Sequence, residues 1–153
     1  MHVVLVNPEI AGNTGNIIRL CANVGAKLHL VEPLGFVLDD ARMRRSGLDY
    51  HEFVDMRVHP SWHSCYAALR ENRMFAYSSR GPTRYDTVSY NSGDVLVFGC
   101  ESSGLPISIL AEFASGNQLS VPMQPGNRSL NLANTVALVS YEAWRQQGFG
   151  GAS

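Results

Sequence analysis

The sequence predicts an α/β domain with a mainly parallel sheet flanked by helices. Two observations carry that prediction. Short runs of β-branched and aliphatic residues alternate with helical stripes, and the runs are apolar at consecutive positions rather than at every second one. A strand such as Val95-Leu96-Val97-Phe98 is covered on both faces, which requires helices above and below it. At 153 residues the chain has the length of one domain. Residues 1–153 are therefore expected to form a single unit, with 148–153 as a loose tail.

From the N-terminus, His2–Val6 reads as the first strand. Ile17, Leu20, Cys21 and Val24 then fall at the i, i+3, i+4, i+7 spacing of one helix face, and Gly25 supplies a left-handed stop. Lys27–Val31 is the second strand. Asp39–Arg45 and Trp62–Glu71 read as helices, and Met74–Tyr77, Val95–Gly99 and Gln118–Val121 as strands. The last long helix, about residues 130 to 147, is apolar nearly all round. Ala133, Val136, Ala137, Ser140, Tyr141 and Trp144 line one side, and Leu132, Leu138 and Val139 the other. Such a helix is buried on both sides. The sheet covers one side, and either a loop or a second subunit covers the other; the second subunit makes a homodimer.

Hydrophobic residues make up 45% and charged residues 16%, and the formal net charge is −1. This composition excludes an intrinsically disordered chain. It also provides no long-range pull on phosphate, so any nucleic-acid site has to be a local patch. Cys21, Cys65 and Cys100 form no Cys-x-x-Cys pair, which fits free thiols in a reducing compartment. The first residues lack the basic region of a signal peptide, and no run of eighteen apolar residues exists. The expectation is a cytoplasmic protein with no membrane partner. Eleven of the twelve basic residues are arginine; phosphate or carboxylate recognition and a GC-rich genome both produce that bias.

Three loops at strand ends are placed where open parallel sheets hold ligands. In Asn7-Pro8-Glu9-Ile10-Ala11-Gly12-Asn13-Thr14-Gly15-Asn16, either Asn13 or Asn16 can cap the first helix. Arg19 projects one turn further in, near N–H groups that favour anions; an ordinary capped turn with a surface arginine fits the same residues. No G-x-G-x-x-G or Walker A loop is present. In Gly99-Cys100-Glu101-Ser102-Ser103-Gly104-Leu105-Pro106, two glycines flank a lone acid and let a ligand approach the backbone. The spacing misses G-x-S-x-G, and no histidine follows His63, which argues against a serine hydrolase. The third loop, Val121 to Leu132, offers Ser129 as a helix cap. Its density of polar groups also suits an adenine or a methionyl group.

Two further clusters of polar residues stand out. Arg42, Arg44 and Arg45 beside Asp39 and Asp40 read either as a solvated helix face or as phosphate contacts without sequence choice. His59 and His63 stand four apart near Cys65, but Pro60 breaks a helix between them and no fourth ligand is close. Surface histidines and no metal are the expectation there.

The loop segments, in this order, resemble the motifs of the SPOUT class of RNA methyltransferases. The resemblance is strongest to the small YibK-like tRNA (cytidine/uridine-34-2′-O)-methyltransferases. It rests on Asn13-Thr14-Gly15-Asn16-Ile17-Ile18-Arg19-Leu20-Cys21-Ala22-Asn23, on Arg44-Arg45-Ser46-Gly47-Leu48-Asp49-Tyr50-His51, and on Phe98-Gly99-Cys100-Glu101-Ser102-Ser103-Gly104-Leu105-Pro106. It continues through Arg128-Ser129-Leu130-Asn131-Leu132-Ala133-Asn134 and Tyr141-Glu142-Ala143-Trp144-Arg145-Gln146, and so covers nearly the whole chain.

What the resemblance implies is a dimeric SPOUT fold with a C-terminal trefoil knot, a feature no periodicity would suggest. It implies S-adenosylmethionine as methyl donor, with Tyr77, Gly99, Val121 and Ser129 lining its site and Tyr77 acting mainly through its backbone. Arg19, Glu101, Ser129 and Asn131 would stand at the reacting centre. Asn13, Asn16, Arg42, Arg44, Arg45 and Arg128 would meet the RNA. The implied reaction methylates the ribose 2′-hydroxyl of the wobble nucleotide in a tRNA anticodon stem-loop, with no DNA partner and no metal. A guanidinium cannot give up its proton in a protein. Arg19 is therefore expected to grip a phosphate and stabilise charge on the 2′-oxygen. The chain departs from the family in lacking prolines near Ala11-Gly12 and at Cys100 and an acid near Gly126, which touches loop rigidity rather than chemistry. The alternatives are an enzyme of the same class acting on another tRNA or rRNA ribose, and a catalytically silent RNA-binding module.

Overall fold

The computed structural model describes residues 1–38 and 55–153. The helix expected at Asp39–Arg45, and with it Arg42, Arg44 and Arg45, lies outside them. Among the described residues, seven strands form one sheet: β1 (His2–Val6), β2 (Lys27–Val31), β3 (Met56–His59), β4 (Met74–Tyr77), β5 (Thr83–Arg84), β6 (Val95–Phe98) and β7 (Gln118–Ser120). Their order is β3-β2-β1-β6-β4-β7-β5, and every pairing is parallel. The helices are α1 (Ala11–Val24), α2 (Trp62–Leu69), α3 (Ile107–Leu110) and α4 (Leu132–Gln146).

The consecutive apolar positions of the strands are divided between two cores. Val3, Leu5, Leu28, Leu30, Leu96 and Phe98 face α1 and α4, and meet Ile17, Ile18, Cys21, Val136, Val139 and Ala143. Val4, Val6, Val31, Val95 and Val97 face the other way, against Cys65 and Leu69 of α2 and Ile109 of α3. Each fully buried aliphatic or Phe side chain contributes about 1.5–3 kcal/mol relative to exposure, which fixes the strands in this register.

Several boundaries and two strands differ from the sequence reading. Helix α1 begins at Ala11, with Ile10 at its N-cap and no side-chain cap bond. Asn13 and Asn16 therefore lie inside the helix and do not cap it. Helix α4 begins at Leu132, and its cap is Asn131, whose Oδ1 accepts from Asn134 N–H at 3.2 Å; Ser129 stands outside. Strands β3 and β5 were not anticipated. Met-Arg-Val-His carries an exposed charge at an edge, and Thr83–Arg84 is only two residues long. Strands β6 and β7 stop one residue short of Gly99 and Val121.

The buried stripe of α4 is Leu132, Ala133, Val136, Val139, Ser140 and Ala143. It is rotated from the expected face: Tyr141 is exposed, while Leu132 and Val139 are inside. Leu138, expected to be covered by a loop or a second subunit, is exposed in the single chain. No helix among the described residues is long and apolar enough to cross a membrane.

The chain order reverses beside β1, which has β2 on one side and β6 on the other. Loops leaving β1 and β6 therefore diverge at their carboxyl ends and open a crevice, the place where this class of sheet takes ligands.

Candidate active site

The crevice is built from three loops that hold one another. Glu101, just after β6, sends its carboxylate to the start of α1. Oε2 accepts from Glu9 N–H at 2.7 Å, and Oε1 accepts from Ile10 N–H and from Asn13 Nδ2, both at 3.1 Å. A helix N-terminus presents unpaired N–H groups and a positive dipole end. Glu101 thus occupies the anionic place that no residue of the α1 loop fills. The contact is returned: Ser102 N–H and Oγ donate to the two carboxylate oxygens of Glu9 at 2.9 and 2.7 Å. These two bonds hold the Glu9 carboxyl below its ordinary range.

The third loop joins through Asn131. Its Nδ2 donates to Asn13 Oδ1 at 3.1 Å while its own Oδ1 caps α4. Asn13 is buried and has both ends of its amide engaged, one by Glu101 and one by Asn131. A chain Glu101–Asn13–Asn131 therefore locks the loops after β1 and β6 to the start of α4.

Beside this chain lies a cavity of about 260 Å³ at the ends of β4, β6 and β7. Tyr77, Gly99, Val121, Arg128 and Ser129 line it, as do Glu101 and the apolar side chains of Met123, Leu130 and Leu132. The Tyr77 ring stacks on Phe98 with centroids 4.5 Å apart, and its hydroxyl pairs with Tyr90 at 3.0 Å. Burial raises its phenol well above the ordinary value. That side chain belongs to the core. Gly99 is required sterically, because a Cβ there would stand 2.0 Å from the backbone carbon of Gly104. This close approach forms the Cys100–Gly104 bridge that turns Glu101 toward α1.

Of the residues singled out from the sequence, Asn13, Glu101 and Asn131 are brought into contact, and Tyr77, Gly99, Val121, Arg128 and Ser129 share the cavity wall. Arg19 and Asn16 are on the exposed side of α1. Sequence reasoning missed Glu9, whose partner Ser102 is 93 residues away; no local pattern signals such a pair. It also misjudged His59 as a surface residue. His63 is exposed, but His59 is buried beside His29, with His59 Nε2 3.0 Å from His29 Nδ1. Strand β3 places His59 diagonally next to His29 on the α2 face of the sheet, and that strand was the element not foreseen.

Comparison with known proteins agrees with this architecture. The family model of the SpoU rRNA methylases matches residues 1–141. A tRNA (cytidine(34)-2′-O)-methyltransferase of Burkholderia ambifaria is 56% identical, with 99% of each chain covered. A solved structure described as giving structural insights into 2′-OH methylation of C/U34 on tRNA is 45% identical with a TM-score of 0.89, covering 97% of this chain and 96% of its own. An AdoMet-bound rRNA methyltransferase from Sinorhizobium meliloti is 25% identical with a TM-score of 0.81, covering 94% of this chain and 55% of its own. With most of its length matched and the crevice loops in place, the chain belongs to the SpoU rRNA methylase family.

Proposed function

We propose that the protein transfers the methyl group of S-adenosylmethionine to the ribose 2′-hydroxyl of the wobble nucleotide, C34 or U34, of tRNA. The observation that carries this reading is the Glu101–Asn13–Asn131 chain, which reaches the cavity wall at Glu101. It ties the loop bearing Arg19's helix to the loops that line the pocket, so a methyl donor and a phosphate-gripping arginine share one rigid frame. The relatives named above supply the substrate class.

The cavity suits the donor. Met123, Val121 and Leu130 offer apolar surface to an adenine or a methionyl chain, and the loop backbones on either side offer hydrogen-bond partners. When bound there, S-adenosylmethionine supplies an electrophilic methyl for in-line attack. The chain's own residues supply position and charge. Gly99, Val121, Ser129 and the Tyr77 backbone hold the donor. Arg19 grips a phosphate beside the attacking ribose and stabilises the developing charge on the 2′-oxygen, while that phosphate or a water takes the proton. Glu101 has its oxygens engaged by three donors, so its role is to position the α1 loop. Asn13 likewise serves the frame rather than the RNA. Asn131 orients it from the third loop, and Ser129 faces the donor. Asn16, Arg128, Arg42, Arg44 and Arg45 are the phosphate contacts, and their share of affinity falls steeply with salt.

The same reading includes a cytoplasmic homodimer, a C-terminal trefoil knot, an anticodon stem-loop as the RNA target, and no metal in the reaction. Support for the dimer is the apolar surface left on Ile10, Leu130, Leu138 and Tyr141, each between 39% and 51% exposed. A second copy covers it and widens the surface offered to a stem-loop.

The test is incubation with methyl-labelled S-adenosylmethionine and unmodified total tRNA, then nuclease digestion and nucleoside mass analysis. Label in 2′-O-methylcytidine or 2′-O-methyluridine from an anticodon fragment is expected. Label in another ribose moves the target within the family. Absence of both label and donor binding overturns the enzyme reading. Light scattering at micromolar concentration checks the dimer, and a monomer overturns it.

A further inference from the structure

On the face of the sheet covered by α2, three histidines and a cysteine converge. His2, His29 and His59 belong to β1, β2 and β3. The register steps two residues at each strand, since Val4 pairs with His29 and Val31 with His59, so the rings line up diagonally on one face. His2 Nδ1 stands 3.0 Å from His29 Nε2, and His29 Nδ1 stands 3.0 Å from His59 Nε2. Cys65 of α2 closes the group. Ligand atoms of His29, His59 and Cys65 all lie within 4.8 Å of one another, and all three residues are buried.

We propose that His29, His59 and Cys65 form a binding site for a zinc-class cation that pins the edge strand β3 to α2. Two imidazoles and one thiolate are the donor set of zinc and other borderline-soft ions. Tetrahedral zinc, with bonds of about 2.0–2.1 Å to nitrogen and about 2.3 Å to sulfur, needs ligand atoms roughly 3.3–3.6 Å apart. The nitrogens open slightly and the thiol closes by up to about 1 Å, which a side-chain rotation supplies. His2 completes the arrangement from outside: by accepting the Nε2–H of His29 it fixes the tautomer that leaves Nδ1 for the ion.

Burial pushes the Cys65 thiol up to about 12, so the cation itself has to displace the thiol proton. Loading moves the His59 proton from Nε2 to Nδ1 and expels the Cys65 thiol proton, so one proton leaves per ion bound. A solvent-derived ligand takes the fourth position.

The experiment uses untagged full-length protein dialysed against zinc chloride, with metal counted by mass spectrometry, and a parallel titration with cobalt(II). The expected result is one zinc per chain and a thiolate-to-cobalt charge-transfer band in the near ultraviolet. Cys65→Ser and His59→Asn, checked for folding by circular dichroism, are each expected to lose at least nine-tenths of the zinc, while His63→Ala keeps it. The cobalt band is read on the wild-type chain and needs no variant to fold. Substoichiometric zinc in the wild type, a cobalt complex without the thiolate band, or retention of zinc in either ligand variant overturns the proposal.

Discussion

Helices α1 and α4 both start at the crevice and both need their first N–H groups satisfied, yet they solve the problem differently. Helix α4 is capped from its own sequence, by Asn131 three residues before the amide it serves. Helix α1 has no side-chain cap of its own and is closed instead by Glu101, some ninety residues later. A local cap forms with its helix. A distant one forms only when the sheet has been assembled, so it couples the geometry of α1 to the pocket loop. The α1 end is therefore where fold and site are one structure, whereas the start of α4 is closed by its own sequence.

The largest loss is expected at Gly99. Gly99→Ala drives a Cβ into the Gly104 backbone and displaces Glu101 with it, so α1 loses its cap while α4 keeps its own. Overpacking of this kind costs about 1–3 kcal/mol. Donor binding, read by calorimetry, is expected to vanish in a chain that still shows its helices by circular dichroism. Undiminished binding would mean the bridge has no part in the pocket.

Next comes Glu101→Ala, which leaves the Glu9 and Ile10 amides and the Asn13 side chain without their charged acceptor. Hydrogen bonds to charged groups contribute about 1.5–3 kcal/mol, and urea unfolding is expected to register about 2 kcal/mol. Glu101→Gln, which keeps one acceptor oxygen, should recover part of the loss. If the two variants are equally stable, charge is irrelevant at this helix end.

Asn131 separates the two jobs that meet in one side chain. Asn131→Asp retains the cap oxygen of α4 but removes the donor to Asn13. The cap of α4 is kept, but the Asn13 acceptor is left unpaired against a carboxylate oxygen, so stability should fall by about 1–3 kcal/mol and methyl transfer at least tenfold. Asn131→Ala should lose both, with about 1 kcal/mol for the cap. Ser129→Ala is the contrast: it lies outside the helix, and no stability change beyond about 0.5 kcal/mol is expected.

The smallest effect belongs to the return contact from Glu9. Because Ser102 depresses its carboxyl from the ordinary 4.5, the contact is complete above that pH. It is lost as the pH falls through the lower, folded-state value. Carbon-13 NMR of the Glu9 carboxyl should give a midpoint under 4.5; a midpoint at or above it would show that the contact does not persist in solution. In Ser102→Ala the midpoint should move back upward.

Much of the site was legible as residue types. Gly99 and Glu101 stood out because a glycine-flanked acid at a strand end is unusual in an apolar chain, whereas Asn131 entered through the family resemblance. Their roles were less legible. Glu101 was expected at the reacting centre and is engaged by backbone amides. Asn13 was expected at a helix cap or on RNA and is buried between two partners. Ser129 had two readings, a cap or part of a ligand loop, and the cap is Asn131. In each case the deciding partner lies on another loop, and capping rules read only a few residues in either direction. His59 was misplaced for the same kind of reason. The short charged run around it gives little strand signal, and without β3 its ring has no reason to face His29.

By itself, the sequence determined the parallel sheet and its covering helices, because continuous apolar strands have to be buried on two faces and that pattern is written residue by residue. It also determined where the ligand-bearing loops fall, since strand ends follow from strand runs. Only the tertiary structure decided that the β1 and β6 loops face each other, that α1 takes its cap from Glu101, and that three histidines from three strands share one line. Those outcomes depend on strand order and register. Order and register are fixed by how side chains from distant segments fill common space, a property of the assembled core that no window of sequence contains.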